Sequence, residues 1–166
     1  MPPLVVLVGP PGSGKTTVGE LLAQRLATTF KDTDREVEAV AGMAVAEMFV
    51  EHGEEYFRAL ERESVAKSLA EHDGVLSLGG GSILDGATRK QLLGHHVVYL
   101  DVDLAAATRR IGFNRDRPLL IGNPRAQLHA LMEARRPLYE EVATTVVSTS
   151  DKEPATIVAE IVESLA

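Results

Sequence analysis

The 166-residue sequence contains no cysteine and no tryptophan, and only 4% of its residues are aromatic. Without cysteine the chain can form no disulfide, no thiolate metal site and no cysteine nucleophile. Its longest apolar runs fall well short of the roughly 18 residues that a membrane span needs. The first residues lack the charged and apolar regions of a signal peptide. We therefore expect a cytoplasmic protein that does not bind membranes.

Charge and composition exclude further classes. The formal net charge is −7, from 17 basic and 24 acidic side chains, whereas a general nucleic-acid binder is usually basic. Hydrophobic residues make up 45% and charged residues 25% of the chain, the balance of a soluble globular protein. The length fits one domain, and nothing in the sequence demands an oligomer.

Short apolar segments alternate with segments of helical periodicity. We predict strands at residues 4–8, 29–33, 75–78, 96–100 and 145–148. We predict helices at 16–27, 36–49 with an interruption near Gly42, 54–69, 86–93, 104–111, 126–142 and 154–165. This alternation predicts an α/β fold whose parallel sheet is covered on both faces. Residues 112–124 contain two Gly, two Pro, two Asn and three charges, and we expect them to form a mobile lid.

Residues 9–16, Gly-Pro-Pro-Gly-Ser-Gly-Lys-Thr, match the phosphate-loop pattern G-x-x-x-x-G-K-[ST]. Glycines let consecutive backbone N–H groups surround an anion, and the following helix directs its positive end at the phosphates. Lys15 is expected to reach the β- and γ-phosphates, and the Thr16 hydroxyl to bind Mg²⁺. The nucleotide-binding residues predicted in and just after this loop are Gly12, Ser13, Gly14, Lys15, Thr16 and Thr17. A GTPase would usually carry an Asn-Lys-x-Asp signature, which is absent, so a small-molecule kinase fits best.

Two carboxylates follow the second predicted strand. Asp32 and Asp34 would face the same side if the strand remained extended, at the sheet edge where ligands bind in open α/β folds. One could hold Mg²⁺ through water while the other accepts a hydrogen bond from a substrate hydroxyl. The structural alternative is that Asp34 caps a helix beginning at Arg35.

Two further groups of residues are candidates for the same edge. Arg58 and Glu61 are three residues apart in a predicted helix and can pair on one face, although such a pair taken alone is more often a solvated surface pair. Residues 79–81 are three consecutive glycines after the third strand, and they would let a ligand approach the backbone closely.

Six motifs in this order resemble the shikimate kinase family over nearly the whole chain. They are residues 9–16, Asp-Thr-Asp at 32–34, Phe-Arg-x-x-Glu at 57–61, Leu-Gly-Gly-Gly at 78–81, Arg-Pro-Leu-Leu at 117–120 and Arg-x-Pro-Leu-Tyr at 135–139. The resemblance implies a three-layer α/β/α P-loop kinase fold with a five-stranded parallel sheet in the order 2-3-1-4-5. It also implies one kinase domain over residues 1–166, with a lid at about 112–124 and substrate-binding helices at about 33–61.

The resemblance also implies residue roles, with ATP and shikimate as substrates, Mg²⁺ as cofactor and a monomeric enzyme. The catalytic residues would be Lys15, Asp34 and Arg117, with Asp34 as base or orienter at the 3-hydroxyl and Arg117 closing over the phosphates. Arg110 would stack on adenine, near the segment around Pro154, and the metal residues would be Thr16 and Asp32. The acceptor would be bound by Asp34, Phe57, Arg58, Glu61, Gly79, Gly80, Gly81 and Arg135.

Two assignments stay open on the residues themselves. Arg135 and Arg136 are adjacent, and the position two before Pro137 favours Arg135 as the carboxylate-binding residue. Asp101 follows the apolar fourth strand and by that pattern alone would be the metal-side carboxylate, whereas the resemblance assigns Asp32. Other functions also remain open: another small-metabolite kinase such as a gluconate kinase, or an inactive nucleotide-binding module.

Overall fold

Five parallel strands form one sheet in the order β2-β3-β1-β4-β5. The computed structural model describes residues 2–112 and 123–166. The strands are β1 (Val5–Val8), β2 (Phe30–Asp32), β3 (Val75–Ser77), β4 (Val97–Asp101) and β5 (Thr145–Ser148). The helices in these ranges are α1 (Lys15–Arg25), α2 (Thr33–Ala41), α3 (Val45–Glu51), α4 (Glu54–Glu71), α5 (Gly86–Gln91), α6 (Leu104–Ile111), α7 (Pro124–Val142) and α8 (Pro154–Leu165). The predicted fold and strand order are confirmed.

Alternate residues of the central strands pack against different helices, which makes the three layers. Val5 and Leu7 of β1 join the cluster that contains residues of α1 and α8. Val6 and Val8 join the cluster that contains residues of α4 and α7. A strand buried on both faces has no polar side, which is why these segments are continuously apolar in the sequence.

The register brings the strand ends to one edge. Asp32, the last residue of β2, pairs with Ser77, the last residue of β3. Leu7 of β1 pairs with Ser77 on one side and with Val98 of β4 on the other. The loops that follow β1, β2, β3 and β4 therefore leave the sheet together, at the carboxyl edge where open α/β sheets bind ligands.

The helix after β2 begins earlier than predicted, and this corrects the expectation for the two carboxylates. The extended conformation ends at Asp32, and α2 begins at Thr33. Asp32 is the helix cap, because its Oδ1 accepts the N–H of Asp34 at 2.9 Å. Asp34 is therefore in the first helical turn. Neither the predicted strand alternation nor a cap by Asp34 describes this segment.

The remaining elements agree with the predicted pattern with small shifts at their ends. The interruption near Gly42 separates α2 from α3, with Gly42 at φ 71°. A short 3₁₀ helix at Ser82–Leu84, which the sequence pattern did not predict, follows the glycine run. The predicted lid at 112–124 lies almost entirely outside the described residues. Within the described ranges, no helix combines the length and apolarity needed to cross a membrane.

Candidate active site

The phosphate loop connects β1 to α1 and depends on glycine at its turns. Gly14 caps α1 with φ 92° and Gly12 has φ 79°, both in the left-handed region that other residues rarely adopt. A Cβ at Gly12 would also lie 2.9 Å from the carbonyl oxygen of Ala107. The loop thus leads into the amino terminus of α1, where backbone N–H groups without intrahelical acceptors favour phosphate.

Lys15, Thr16 and Thr17 form the first turn of α1 and line a cavity at the carboxyl edge of the sheet. Lys15 Nζ donates to the carbonyl oxygens of Gly9 and Pro10, at 2.7 and 3.1 Å. The ammonium group is thereby held against the first two residues of the phosphate loop. A positive charge at this position is suited to the terminal phosphates of a nucleotide.

A hydroxyl and a carboxylate adjoin the phosphate loop. The Oγ1 of Thr16 donates to Oδ2 of Asp32 at 3.5 Å. Oxygen ligands of this kind suit Mg²⁺, which typically takes only one or two protein groups and completes its shell with phosphate and water. No group of three or more acidic, histidine or cysteine side chains is arranged for metal binding in the described ranges. The two oxygen groups of Thr16 and Asp32, beside the phosphate loop, fit a metal bound together with phosphates.

The cavity has a volume of 410 Å³ and connects the phosphate loop to the ends of β2 and β3. Its lining combines cations, carboxylates and backbone. The residues around it are Pro11, Gly12, Gly14, Lys15, Thr16, Thr17, Asp32, Asp34, Ser77, Leu78, Gly80 and Arg110. The cavity is therefore continuous from the predicted nucleotide side to the predicted acceptor side.

Asp34 is a carboxyl group with a strongly raised pKa in this cavity. Burial is the largest cause that raises its pKa to about 7, and the neighbouring charges of Asp32 and Glu61 act in the same direction. Lys15 and Arg58 oppose the shift. Its Oδ1 is buried and accepts no hydrogen bond from the described residues. An acid with a pKa near neutrality can exchange a proton with a substrate at physiological pH.

The glycine run after β3 packs so closely that side chains there would displace functional groups. A Cβ at Gly79 would lie 2.9 Å from Oε2 of Glu61 and closer still to Oδ1 of Asp34. The backbone of Gly79 is held by Thr33, whose Oγ1 accepts its N–H at 3.1 Å. The absence of a side chain at Gly79 therefore leaves room for the two carboxyl groups.

Gly80 and Gly81 place the same run between the phosphate loop and two arginines. A Cβ at Gly80 would lie 3.3 Å from the carbonyl oxygen of Gly9 and 3.6 Å from an Nη of Arg135. A Cβ at Gly81 would lie 2.7 Å from Cζ of Arg58. Backbone, phosphate loop and both guanidinium groups thus meet within a few ångströms.

Arg58 is held by α4 in a partly buried position. Its Nη1 donates to Glu61 at 2.8 Å and its Nε to Glu54 at 3.2 Å. Burial raises the pKa of Glu61 against the opposing effect of Arg58. Phe57 is 3% exposed and belongs to a core cluster of the α2–α4 region, and Arg58 lies 5.3 Å from the centre of its ring. The ring of Phe57 thus packs against the guanidinium of Arg58.

The two adjacent arginines of α7 have different neighbours. Arg135 is 8% exposed and lies beside Gly80. Arg136 points to β4, where its Nη1 contacts Oδ1 of Asp101 at 3.2 Å. Tyr99 donates its hydroxyl to the same oxygen at 3.2 Å, so Asp101 is engaged by these two side chains and does not line the cavity.

Arg110 bridges α6, the phosphate loop and the segment after β5. Its guanidinium donates to the carbonyl oxygen of Gly12 at 3.1 Å, and to the hydroxyl and carbonyl oxygens of Thr149 at 3.0 and 2.6 Å. These bonds hold it at the nucleotide side of the cavity. Pro154 begins α8 and does not line the cavity.

Three polar residues of this site were not predicted from the sequence, and one predicted residue lies outside the described ranges. Ser77 lines the cavity beside Asp32, Thr33 holds Gly79, and Thr149 holds Arg110. All three lie at the carboxyl end of a strand or directly after it, and that position was the available signal. Arg117 falls in residues 113–122, outside the described part of the chain.

A phosphate loop, a hydroxyl–carboxylate pair and a carboxyl group of near-neutral pKa lie around one cavity at the carboxyl edge of a parallel sheet. Together they define the chain as an ATP-dependent phosphotransferase of the P-loop kinase class. The arginines and the glycine run beyond the carboxyl group distinguish it within that class.

Comparison with known proteins identifies the family. The shikimate kinase family model matches residues 11–166. A shikimate kinase from Frankia casuarinae is 58% identical over 151 residues, which are 91% of this chain and 67% of the relative. One from Salinispora arenicola is 54% identical and covers 100% of this chain and 99% of the relative. The structure of a shikimate kinase from Acinetobacter baumannii in complex with shikimate has a TM-score of 0.94 at 34% identity, and the match covers 99% of this chain and 93% of that one. The chain belongs to the shikimate kinase family.

Proposed function

We propose that the protein transfers the γ-phosphoryl group of ATP to the 3-hydroxyl of shikimate, giving shikimate 3-phosphate and ADP. The observation that carries this proposal is the position of Gly80, which lies within a few ångströms of the phosphate loop on one side and of Arg135 on the other. The phosphoryl donor and a carboxylate-bearing acceptor can therefore bind side by side. Support for shikimate as the acceptor comes from family membership and from the related enzyme solved with shikimate.

The acceptor would be held by its carboxylate. Arg58 and Arg135 approach the glycine run from α4 and α7, and a planar guanidinium forms paired hydrogen bonds with a carboxylate. Glu61 holds Arg58 in place, and Phe57 supports it. Backbone groups of Gly79, Gly80 and Gly81 complete the acceptor side.

Asp34 would orient the acceptor hydroxyl and take its proton. The residue lies in the cavity between Lys15 and the glycine run. Phosphoryl transfer passes through a loose transition state in which the attacking oxygen loses its proton late, so a base of moderate strength is sufficient. The pKa of Asp34, raised to about 7 chiefly by burial, suits that role near neutral pH.

The nucleotide would be held by the phosphate loop and by Arg110. Residues 12–17 would surround the phosphates with backbone N–H groups, and Lys15 would stabilise the negative charge that spreads over the transferred group. Arg110, fixed by Thr149 and Gly12, would stack on adenine, and the segment around Pro154 would border the base. Arg117 would close over the phosphates, so that Arg117→Ala lowers turnover more than substrate binding.

Mg²⁺ would be bound by Thr16 directly and by Asp32 through water. The Oγ1 of Thr16 and the Oδ2 of Asp32 lie 3.5 Å apart. A magnesium ion held there would supply positive charge to offset the negative charge that develops on the transferred phosphoryl group. The other roles would fall to side chains of the protein. Lys15 and Arg110 would bind the nucleotide, Asp34 would orient the acceptor hydroxyl and accept its proton, and the lid residues would exclude water.

The experiment that tests this function is a coupled assay of ADP release with ATP and Mg²⁺. The acceptors compared are shikimate, gluconate and a panel of nucleoside monophosphates. We expect turnover with shikimate to be at least about 100-fold more efficient than with the others, because their shapes and charges do not match the hydrogen bonds that this acceptor side offers. Turnover with gluconate alone would favour another metabolite kinase, and ATP binding without any turnover would favour a nucleotide-binding module.

We also propose that the enzyme works as a monomer in the cytoplasm, where ATP is supplied. The resemblance to the shikimate kinase family implies a monomer, and nothing in the sequence demands an oligomer. Light scattering after gel filtration should give a mass of one chain, close to 17.8 kDa, at the protein concentrations used in the assay.

A further inference from the structure

Tyr139 is a buried side chain of α7 for which the proposed mechanism has no role. It is 1% exposed, and it lies one helical turn after Arg135, so the two side chains share a face of the helix. Its hydroxyl donates to the carbonyl oxygen of Gly80 at 2.6 Å. The guanidinium of Arg135 lies beside the same glycine, with an Nη 3.6 Å from the position of a Cβ at Gly80. The hydroxyl of Tyr139 therefore holds the glycine run at the point where the acceptor-side arginine approaches it.

The hydroxyl of Tyr139 keeps its proton near neutral pH. Burial raises the pKa of Tyr139 to about 12, and the opposing charge of Arg135 does not cancel this effect. A neutral hydroxyl has one proton to donate and lone pairs that accept. Its one proton is donated to Gly80, and its lone pairs carry the partial negative charge on which the positive charge of Arg135 acts.

The bond to Gly80 also fixes the next backbone donor. In a trans peptide the C=O of one residue and the N–H of the next point in opposite directions. Because the carbonyl of Gly80 is directed at Tyr139, the N–H of Gly81 points away from that hydroxyl. Gly81 lies against the guanidinium of Arg58, which belongs to the other acceptor-binding helix. The orientation of a single peptide thus depends on the Tyr139 hydroxyl.

The ring of Tyr139 is held independently of its hydroxyl. It stacks on Tyr99, with ring centres 5.0 Å apart and an angle of 26° between planes. Both rings belong to the core cluster between the sheet and α4 and α7. Replacing Tyr139 by phenylalanine removes the hydroxyl but keeps this packing, so the contribution of the hydrogen bond to Gly80 can be measured by itself.

We infer that Tyr139 is a positioning residue for the acceptor: its hydroxyl, bonded to the carbonyl oxygen of Gly80, holds the Gly80–Gly81 peptide beside Arg135 in the arrangement that binds the substrate carboxylate. This inference rests on the proposed function, because it concerns the same acceptor site. It assigns to Tyr139 an effect on acceptor affinity and no contact with the reacting atoms.

The test is steady-state kinetics of Tyr139→Phe beside Tyr99→Phe. Loss of the Tyr139 hydroxyl should raise the KM for shikimate about tenfold, the range expected for one buried hydrogen bond. The KM for ATP should stay unchanged and kcat should stay within about twofold. Tyr99→Phe is the matched control, because it removes the hydroxyl of the stacked ring, which donates to Asp101 at the end of β4. It should leave the KM for shikimate unchanged.

A double-mutant cycle separates positioning from a structural role. If the peptide held by Tyr139 and the guanidinium of Arg135 bind the same carboxylate, most of the effect of Tyr139→Phe should disappear when Arg135 is alanine in both proteins. Equal effects in both backgrounds, an unchanged KM for shikimate in Tyr139→Phe, or the same rise in Tyr99→Phe would each overturn the inference. Thermal unfolding of each variant tests whether the fold is retained. A wild-type enzyme without shikimate turnover would reject the proposed function itself, a result independent of these comparisons.

Discussion

Arg135 and Arg136 are neighbours in α7, yet their guanidinium groups serve different parts of the molecule. Arg135 is 8% exposed and approaches Gly80. Arg136 contacts Asp101 at the end of β4 at 3.2 Å. Adjacent helical residues project about 100° apart, so only one of them can face the space between α4, α7 and the glycine run. We therefore propose Arg135, and not Arg136, as the carboxylate-binding residue of α7.

Replacing each arginine by alanine should therefore give different kinetics. Arg135→Ala would remove the charged hydrogen bonds proposed for the acceptor and should raise the KM for shikimate roughly 10- to 150-fold, since such bonds contribute about 1.5 to 3 kcal/mol. Arg136→Ala removes a partly exposed ion pair and should change this KM by less than about twofold. Steady-state assays at saturating ATP measure both. A larger effect from Arg136→Ala would reverse the assignment.

Gly79→Ala should damage both stability and turnover. The new Cβ would lie 2.9 Å from Oε2 of Glu61 and closer to Asp34, so the carboxyl groups must move. Overpacking of this kind destabilises a protein by about 1 to 3 kcal/mol, and displacement of Asp34 should lower kcat. The measurements are urea unfolding and the coupled assay.

Gly86→Ala serves as the control for that substitution. Gly86 begins α5, and a Cβ there would meet only an Nη of Arg89 at 3.6 Å among the described residues, an ordinary contact. Its free energy of unfolding should change by less than about 0.5 kcal/mol. If Gly79→Ala behaved like Gly86→Ala, the close packing around Asp34 would have no energetic consequence.

Asp34→Asn should abolish phosphoryl transfer while ATP still binds, and it should stabilise the unliganded fold at alkaline pH. The pKa of Asp34 rises from an ordinary value of 3.8 to about 7 in the fold, so its contribution to stability is present below pH 3.8 and is lost as the pH rises through 7. The loss is on the order of 4 kcal/mol for a shift of this size. Asparagine carries no charge, so the Asp34→Asn protein avoids this loss of stability.

Thermal unfolding between roughly pH 4 and 8 tests this sign. The melting temperature of Asp34→Asn should exceed that of the wild type by several degrees at the alkaline end, and the difference should shrink toward the acidic end. Asp103→Asn is a useful comparison, because the backbone N–H of Ala106 lowers the pKa of Asp103 and neutralisation should bring no gain. A wild-type protein more stable than Asp34→Asn at the alkaline end would show that burial of the carboxylate carries no penalty.

Thr149→Val should weaken nucleotide binding. The substitution keeps the shape but removes the hydroxyl that accepts from Arg110 at 3.0 Å, while the carbonyl bond at 2.6 Å remains. Loss of one such bond should raise the KM for ATP about three- to tenfold and leave the KM for shikimate unchanged. Thr145→Val, at the start of β5, is the matched control. A change in the KM for shikimate alone would place Thr149 with the acceptor.

Much of the fold could be predicted because its signals are local. The continuous apolar run of β1 predicts a strand buried on both faces, and Asp103 predicts the cap of α6, where its carboxylate accepts the N–H of Ala106 at 2.7 Å. The start of α2 could not be predicted in this way. Asp32 and Asp34 can both cap a helix, and the choice depends on where β2 ends against β3, which is a tertiary relationship.

The site was predictable where one residue type has one chemical use. A lysine after the glycines of a phosphate loop and three consecutive glycines at a strand end are such cases. Ser77 and Thr149 were missed because a serine or threonine at or after a strand end occurs in many proteins. Ser77 gains a role from its pairing with Asp32, and Thr149 gains one from its hydrogen bond with Arg110. Likewise the different directions of Arg135 and Arg136 follow from how α7 packs on the sheet.

The proposed reaction is tested most directly by identifying its product. The protein should be incubated with ATP, Mg²⁺ and shikimate, and the mixture followed by ³¹P NMR. We predict one new phosphomonoester signal, coupled to the proton at C3 of shikimate, that grows in equal amount with ADP and is absent with Asp34→Asn. Formation of ADP without that ester, an ester at another hydroxyl, or no reaction with shikimate would contradict the proposed reaction.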